Sequence, residues 1–303
     1  MNIVFSSRVE SPERWFALLE QALPHDRFFA WPEVNGGDAD LALVATPHEG
    51  LFSRLPHLKL VQSIWMGVDA LLADPALPHH VPLARCIDPG MVAAMGESVL
   101  SHVIDFHRHH YLYRRQQAEK QWKKLRQYMA ADRTVGLLGL GELGSTIGAM
   151  LRSFQFKVLG WSRRLKSVAG VESYAGAQGL AQMLPKCNIV VCLLPLTDET
   201  RGILNATTLA LLPAGAAVVN VARGAHVVEA DLLAALDSGH IARAYLDVFE
   251  TEPLPAGHPY WAHPGVSITP HSAALTEPRT ALPMIVENGR PHGAAIPHSR
   301  PRP

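Results

Sequence analysis

Three short segments late in the chain hold side chains suited to binding an anion and moving a proton. Asn220-Val221-Ala222-Arg223-Gly224 supplies an arginine, whose guanidinium is a fixed cation at every accessible pH. Leu246-Asp247-Val248-Phe249-Glu250-Thr251-Glu252-Pro253 supplies three carboxylates. Ile268-Thr269-Pro270-His271-Ser272-Ala273 supplies a histidine, which titrates near neutral pH and can act as acid or base. Each segment follows a candidate β-strand. The groups therefore leave the C-terminal strand ends, where open parallel α/β sheets bind their ligands.

A fourth segment, Gly139-Leu140-Gly141-Glu142-Leu143-Gly144, lies between a strand and a helix. A GxGxxG triplet alone is a weak signal, but here both flanks are right. The first glycine allows the tight turn, the second lets backbone approach a pyrophosphate, and the third lets helix pack on strand. The helix start then offers free N–H groups and a partial positive charge to the phosphates. An NAD site places an acid at the end of the next strand, about 20 residues on, to bind the ribose 2′-hydroxyl. That strand ends Gly160-Trp161-Ser162-Arg163-Arg164, with Lys166 close behind and no carboxylate. Two guanidinium groups would pair with a 2′-phosphate through charge-assisted bonds, and this predicts NADPH over NADH.

These groups need a scaffold, and 303 residues suffice for two domains. In the first ninety residues Asn2–Ser6, Asp40–Thr46, Leu58–Ile64 and Val81–Ile87 read as strands, with a helix opening at Ser11-Pro12-Glu13. Their nearly unbroken apolar runs suit a parallel sheet covered on both faces. From Met95 to Gln127 the pattern predicts one or two long helices. A second series follows: strands at Thr134–Leu138, Lys157–Trp161, Ile189–Leu193, Ala217–Val221, Ala242–Val248 and Val266–Ile268, with helices at Glu142–Phe154 and Glu229–Asp237. Such alternation predicts α/β architecture with doubly wound parallel sheets. The 27 basic residues balance 27 acidic ones, so no global field draws the chain to nucleic acid or a membrane surface. The start reads as a strand, without a leader, and no apolar run is long enough to span a bilayer. Three scattered cysteines, Cys86, Cys187 and Cys192, fit a reducing compartment and a cytoplasmic protein.

The combination of GLGELG, CLLPLTDET at Cys192–Thr200, NVARG, LDVFETEP and TPHSA resembles the D-isomer-specific 2-hydroxyacid dehydrogenase family. It is most similar to the glyoxylate/hydroxypyruvate reductase A branch, which shares the WSR turn. The resemblance runs from about Val61 to Thr280. It implies two Rossmann-like domains with an active-site cleft between them, whose closure would exclude water, and usually a homodimer. The domains are expected at 1–95, completed by 271–303, for the substrate and 96–270 for NAD(P). Carried over residue by residue, Arg223, Glu252 and His271 match the family's catalytic set. Arg223 would hold the acid's carboxylate or polarise its carbonyl, and His271 would donate a proton to the carbonyl oxygen. Glu252 would orient the imidazole and raise its pKa, the Glu-Pro step favouring it over Glu250. Cofactor contacts are implied at Gly139, Gly141, Glu142, Leu143, Gly144, Ser162, Arg163, Arg164, Leu194, Pro195, Thr200, Val221 and Ala222. Asp247 would lie at the nicotinamide side, or else cap its own loop. Trp65, Met66 and Gly67 resemble the family's carboxylate-binding loop, where smaller residues are more common than Trp65 and Met66.

The implied reaction is reduction of glyoxylate, hydroxypyruvate or a similar small 2-oxo acid. Two rivals remain: an NADH-dependent enzyme for a bulkier acid, and a non-catalytic NAD(P)-sensing protein. His107, His109 and His110 suggest no metal site, because neighbouring helical residues diverge by about 100°. The basic stretch from Arg114 to Arg126 lacks any nucleic-acid motif. After Pro278 a helix should return to the first domain. Asn288-Gly289-Arg290-Pro291 breaks it, and the proline-rich end at 296–303 predicts no packed element.

Overall fold

The computed structural model describes residues 1–33 and 38–289. By packing, the chain divides into two compact units, Met1–Val92 with the segment from Leu275, and Ala93–Ala274. The first unit opens with β1 (Asn2–Ser7), α1 (Pro12–Ala22), β2 (Arg27–Ala30), β3 (Leu41–Ala45), β4 (Leu60–Ser63), α2 (Asp69–Ala73) and β5 (Leu83–Ala84). The five strands form one parallel sheet in the order β2-β1-β3-β4-β5. Every residue of β3 and β4 is buried, as strands covered on both faces must be. Helix α1 starts with Pro12, whose missing N–H costs nothing in a first turn, and buries Trp15 and Leu19 against the sheet. The strand expected at Val81–Ile87 shrinks to two residues. Pro82 has no N–H to give, although its carbonyl still accepts from Val61 N–H at 2.9 Å.

Helix α3 (Pro89–His107) leads into the second unit and is followed by α4 (His110–Ala118). His109, with φ at 59°, separates them, and Lys120, with φ at 55°, follows their end. The helix expected to reach Gln127 therefore stops nine residues sooner, and 121–129 has no regular structure. Trp122, Leu125 and Met129 have helical spacing there, but Trp122 and Met129 stay exposed, so that face has no core to hold a helix.

The second unit continues through β6 (Thr134–Leu138), α5 (Glu142–Ser153), β7 (Lys157–Ser162), β8 (Glu172–Ala175), α6 (Gly176–Met183), β9 (Ile189–Cys192) and α7 (Ala206–Ala210). It closes with β10 (Ala216–Asn220), α8 (Glu229–Asp237), β11 (Ile241–Leu246) and β12 (Val266–Ile268). All seven strands are parallel, in the order β12-β11-β10-β9-β6-β7-β8. The order reverses between β6 and β9, which is the switch point where such sheets open a crevice.

Helix α9 (Pro278–Asn288) returns to the first unit. It buries Ala281 and Ile285 in the core that holds Trp15, and its Asn288 donates to the Gln62 amide oxygen at 2.9 Å. The expected break falls at Gly289; the tail from Arg290 lies outside the described residues. The units divide at 92/93 and 274/275, whereas the sequence suggested 95/96 and 270/271. Ser98 Oγ donates to Ala273 O at 2.7 Å and Ala273 is buried in the second unit's core, so His271 belongs with that unit.

Candidate active site

Pairing across the second sheet sets the level of the site. Trp161, Leu138, Cys192, Asn220, Leu246 and Ile268 form one continuous row of register partners. Chain leaving that row carries every expected catalytic and cofactor residue of the second unit. Residues more than a hundred positions apart thus start from one edge.

The glycine turn departs from β6. Gly139 has φ at 110°, which a side chain would strain, and a Cβ there would stand 3.0 Å from Leu193 O. A Cβ on Gly144 would fall 1.9 Å from Gly139 O, so α5 packs onto the turn only because this residue is glycine. Gly141 differs: nothing lies within 4 Å of a Cβ built there. The space in front of its backbone, at the start of α5, is the room a pyrophosphate needs, and the N-terminal partial charge of the helix faces it. Glu142 is exposed in the first turn, and Leu143 is half-buried against the core. The residues present therefore fit a dinucleotide.

At the end of β7, Ser162 is buried and its hydroxyl donates to Arg164 O at 2.6 Å, shaping the turn that exposes Arg163 and Arg164. Lys166 Nζ donates to Leu140 O at 2.9 Å and ties this basic turn to the glycine turn. Beyond β9, Leu194 is buried and Pro195 exposed. The Pro195 carbonyl accepts from the buried Thr200 hydroxyl at 2.8 Å. Val221 and Ala222 are buried where β10 ends.

Arg223 is half-buried and follows directly. A Cβ on Gly224 would lie 1.8 Å from the carbonyl carbon of Phe249, so the arginine turn rests backbone to backbone on the loop after β11. That loop holds Glu252. Its Oε1 accepts from Phe249 N–H at 2.9 Å and its Oε2 lies 2.7 Å from His271 Nδ1. Glu250, by contrast, is exposed and 3.8 Å from Arg201. The three expected groups share one electrostatic environment. Burial alone would raise the Glu252 pKa, but the His271 hydrogen bond, the Phe249 N–H and the charges of His271 and Arg223 hold it below the usual range. The His271 pKa is raised by the Glu252 hydrogen bond, against burial and against the Arg223 cation.

His271 has φ at 51°, a left-handed conformation that costs a non-glycine residue on the order of 1 kcal/mol or more. Asp247 holds it there. Its carbonyl accepts from His271 N–H at 2.8 Å, and its carboxylate accepts from the Thr269 hydroxyl at 2.6 Å, Ser272 N–H at 2.9 Å and Ala273 N–H at 3.0 Å. Asp247 is 1% exposed. These bonds brace the loop that carries His271. In the first unit, Trp65, Met66 and Gly67 follow β4 and are half-buried. Trp65 packs against the core around Trp15, and its N–H donates to Ser63 Oγ at 3.0 Å. Sequence reading missed Asn220 and His226, both fully buried beside Arg223. The sole signal for His226 was its place three residues after the arginine.

Residues 100–273 match the family model of the D-isomer-specific 2-hydroxyacid dehydrogenase NAD-binding domain. The glyoxylate/hydroxypyruvate reductase A of Serratia proteamaculans (strain 568) is 43% identical over 293 residues, covering 95% of this chain and 94% of that protein. A D-isomer-specific 2-hydroxyacid dehydrogenase from Xanthobacter autotrophicus Py2, crystallised with NADPH and MES, superposes with a TM-score of 0.91 at 45% identity, covering 95% of this chain and 93% of that one. The NADPH-dependent glyoxylate/hydroxypyruvate reductase of Sinorhizobium meliloti, in complex with NADP and sulfate, gives 0.88 at 38% identity, with the same coverage of 95% and 93%. Strand topology, glycine turn and matched length agree, and the chain belongs to the D-isomer-specific 2-hydroxyacid dehydrogenase family of oxidoreductases.

Proposed function

We propose that this enzyme reduces glyoxylate, hydroxypyruvate or a similar short 2-oxo acid with NADPH. The observation that carries the reading is the 2.7 Å contact of His271 with Glu252, formed within reach of the Arg223 charge at the strand ends beside the glycine turn. Glu252 occupies Nδ1 of His271, which leaves Nε2 to give its proton to the carbonyl oxygen as the alcohol forms. Arg223 presents a fixed cation to the acid's carboxylate or carbonyl. Bound NADPH supplies the hydride. The glycine turn and α5 would hold its pyrophosphate, and Arg163 and Arg164 its 2′-phosphate. Leu194, Pro195, Thr200, Val221 and Ala222 would line its path, with Trp65, Met66 and Gly67 receiving the substrate carboxylate. The family resemblance supports a homodimer, and three buried, unpaired cysteines suit the cytoplasm.

A panel of 2-oxo acids assayed with NADPH and with NADH tests the reading. Glyoxylate or hydroxypyruvate should consume NADPH faster than NADH. His271→Ala should keep NADPH binding and lose about 100-fold or more in turnover. Faster reaction with NADH would overturn the cofactor assignment. Tight NADPH binding with no acid reduced would overturn catalysis.

A further inference from the structure

We propose that His226 is a positioning residue that ties the cofactor loop after β9 to the arginine turn after β10; this rests on the roles given above to Arg223 and to the 194–200 segment. The ring is fully buried. Its Nε2 stands 3.3 Å from Pro195 O and its Nδ1 stands 3.2 Å from Arg223 N. A carbonyl can only accept, so Nε2 carries the hydrogen and donates it to Pro195. The Arg223 carbonyl, 3.1 Å from Nδ1, already accepts from Asn220 Nδ2 at 2.9 Å and from His226 N–H at 3.2 Å. With both lone pairs of that oxygen engaged, Nδ1 accepts from Arg223 N–H.

One imidazole therefore holds two loops of different duty by opposite atoms. The Pro195 carbonyl also accepts from Thr200, so its orientation reports on the whole 195–200 turn. The Arg223 N–H lies three residues beyond the buried end of β10, and fixing it fixes the direction in which the guanidinium leaves the backbone. Position matters steeply here, because a misplacement of about 1 Å in a reacting assembly can cost about 100-fold in rate.

Two substitutions separate the ring's two jobs. In His226→Asn the amide oxygen can stand where Nδ1 stood and keep the Arg223 contact, while residue 226 no longer reaches Pro195. In His226→Gln the longer amide can donate to Pro195, while the Arg223 N–H loses its acceptor. The readouts are the NADPH Kd from fluorescence titration and the KM for glyoxylate, with thermal unfolding alongside. His226→Asn should weaken NADPH about five- to tenfold and leave the glyoxylate KM within about twofold, and His226→Gln should do the reverse. Crossed effects of this kind support the proposal; a purely structural histidine would lower the unfolding temperature and move both constants together. Equal shifts in both constants, or no shift in folded variants, overturn it. Failure of both variants to fold also overturns it, assigning His226 to folding. Absence of 2-oxo acid turnover in the unaltered enzyme overturns the functional reading itself, whereas normal turnover with uncrossed variants overturns His226 alone.

Discussion

Replacing Glu252 by glutamine removes one charge and almost no volume. The carboxylate serves two donors, Phe249 N–H at 2.9 Å and the His271 ring at 2.7 Å. A glutamine amide has one oxygen, so one donor must face an NH2 group. At an effective dielectric of about 20, the bare attraction of two unit charges across that ring contact is about 6 kcal/mol. The imidazole side chain is 51% exposed and the carboxylate 35%, so solvent screening reduces the realised value to about 1–2 kcal/mol. At about 1.4 kcal/mol per decade, the kcat for glyoxylate reduction should fall about 5- to 30-fold near neutral pH. The pH profile gives a sharper test. On the proposed mechanism reduction needs the protonated ring, and the Glu252 hydrogen bond raises the His271 pKa above its ordinary 6.5, so activity should persist above that pH and decline as pH rises through the raised value. Without Glu252, burial and the Arg223 cation act unopposed by their main counterweight, and the alkaline limb moves toward acid. The assay is NADPH oxidation followed across that range at saturating acid. An alkaline limb that stays put, or moves upward, would refute the coupling of these two residues.

Other substitutions probe the cofactor side. Arg163→Ala and Arg164→Ala each delete a charge-assisted partner for a 2′-phosphate. The KM for NADPH should rise about tenfold while that for NADH stays constant, and parallel changes in both would refute the assignment. Gly144→Ala places a methyl 1.9 Å from Gly139 O, an overlap that only a backbone shift can relieve. Stability to urea should drop by about 3 kcal/mol, with NADPH affinity falling in parallel; an unchanged midpoint would mean the turn is not packed as described.

What could be read in advance follows physical lines. Strands buried on both faces announce themselves by continuous apolar runs, and β3, β6, β9 and β10 all do so. The two strands that escaped, β2 and β8, are short edge strands that open on exposed charged residues, Arg27 and Glu172, and look like loop. Helix α4 was overrun because charged and amide residues favour helices without requiring them, and the left-handed turn at Lys120 leaves no trace in composition. Arg223, Glu252 and His271 could be singled out because each leaves a strand end with a chemically capable group. The register that assembles them could not be read, since pairing between distant strands depends on tertiary packing. His226 was hidden for another reason: its worth lies in two backbone contacts that no residue type reveals. Asp247 was legible as a strand-end carboxylate, but the four bonds by which it braces the His271 loop were not.

The absent side chain at Gly224 has a consequence for how substrate choice could drift. Main chain touching main chain acts as a ruler, and repacking of the surrounding core cannot lengthen it. On the roles proposed for Arg223 and His271, the backbone spacing of the arginine turn from the Glu252 loop is thus common to every acid accepted. Variation in the rest of the molecule being reduced must be met by side chains on other loops, which can enlarge or shrink without disturbing the reacting end.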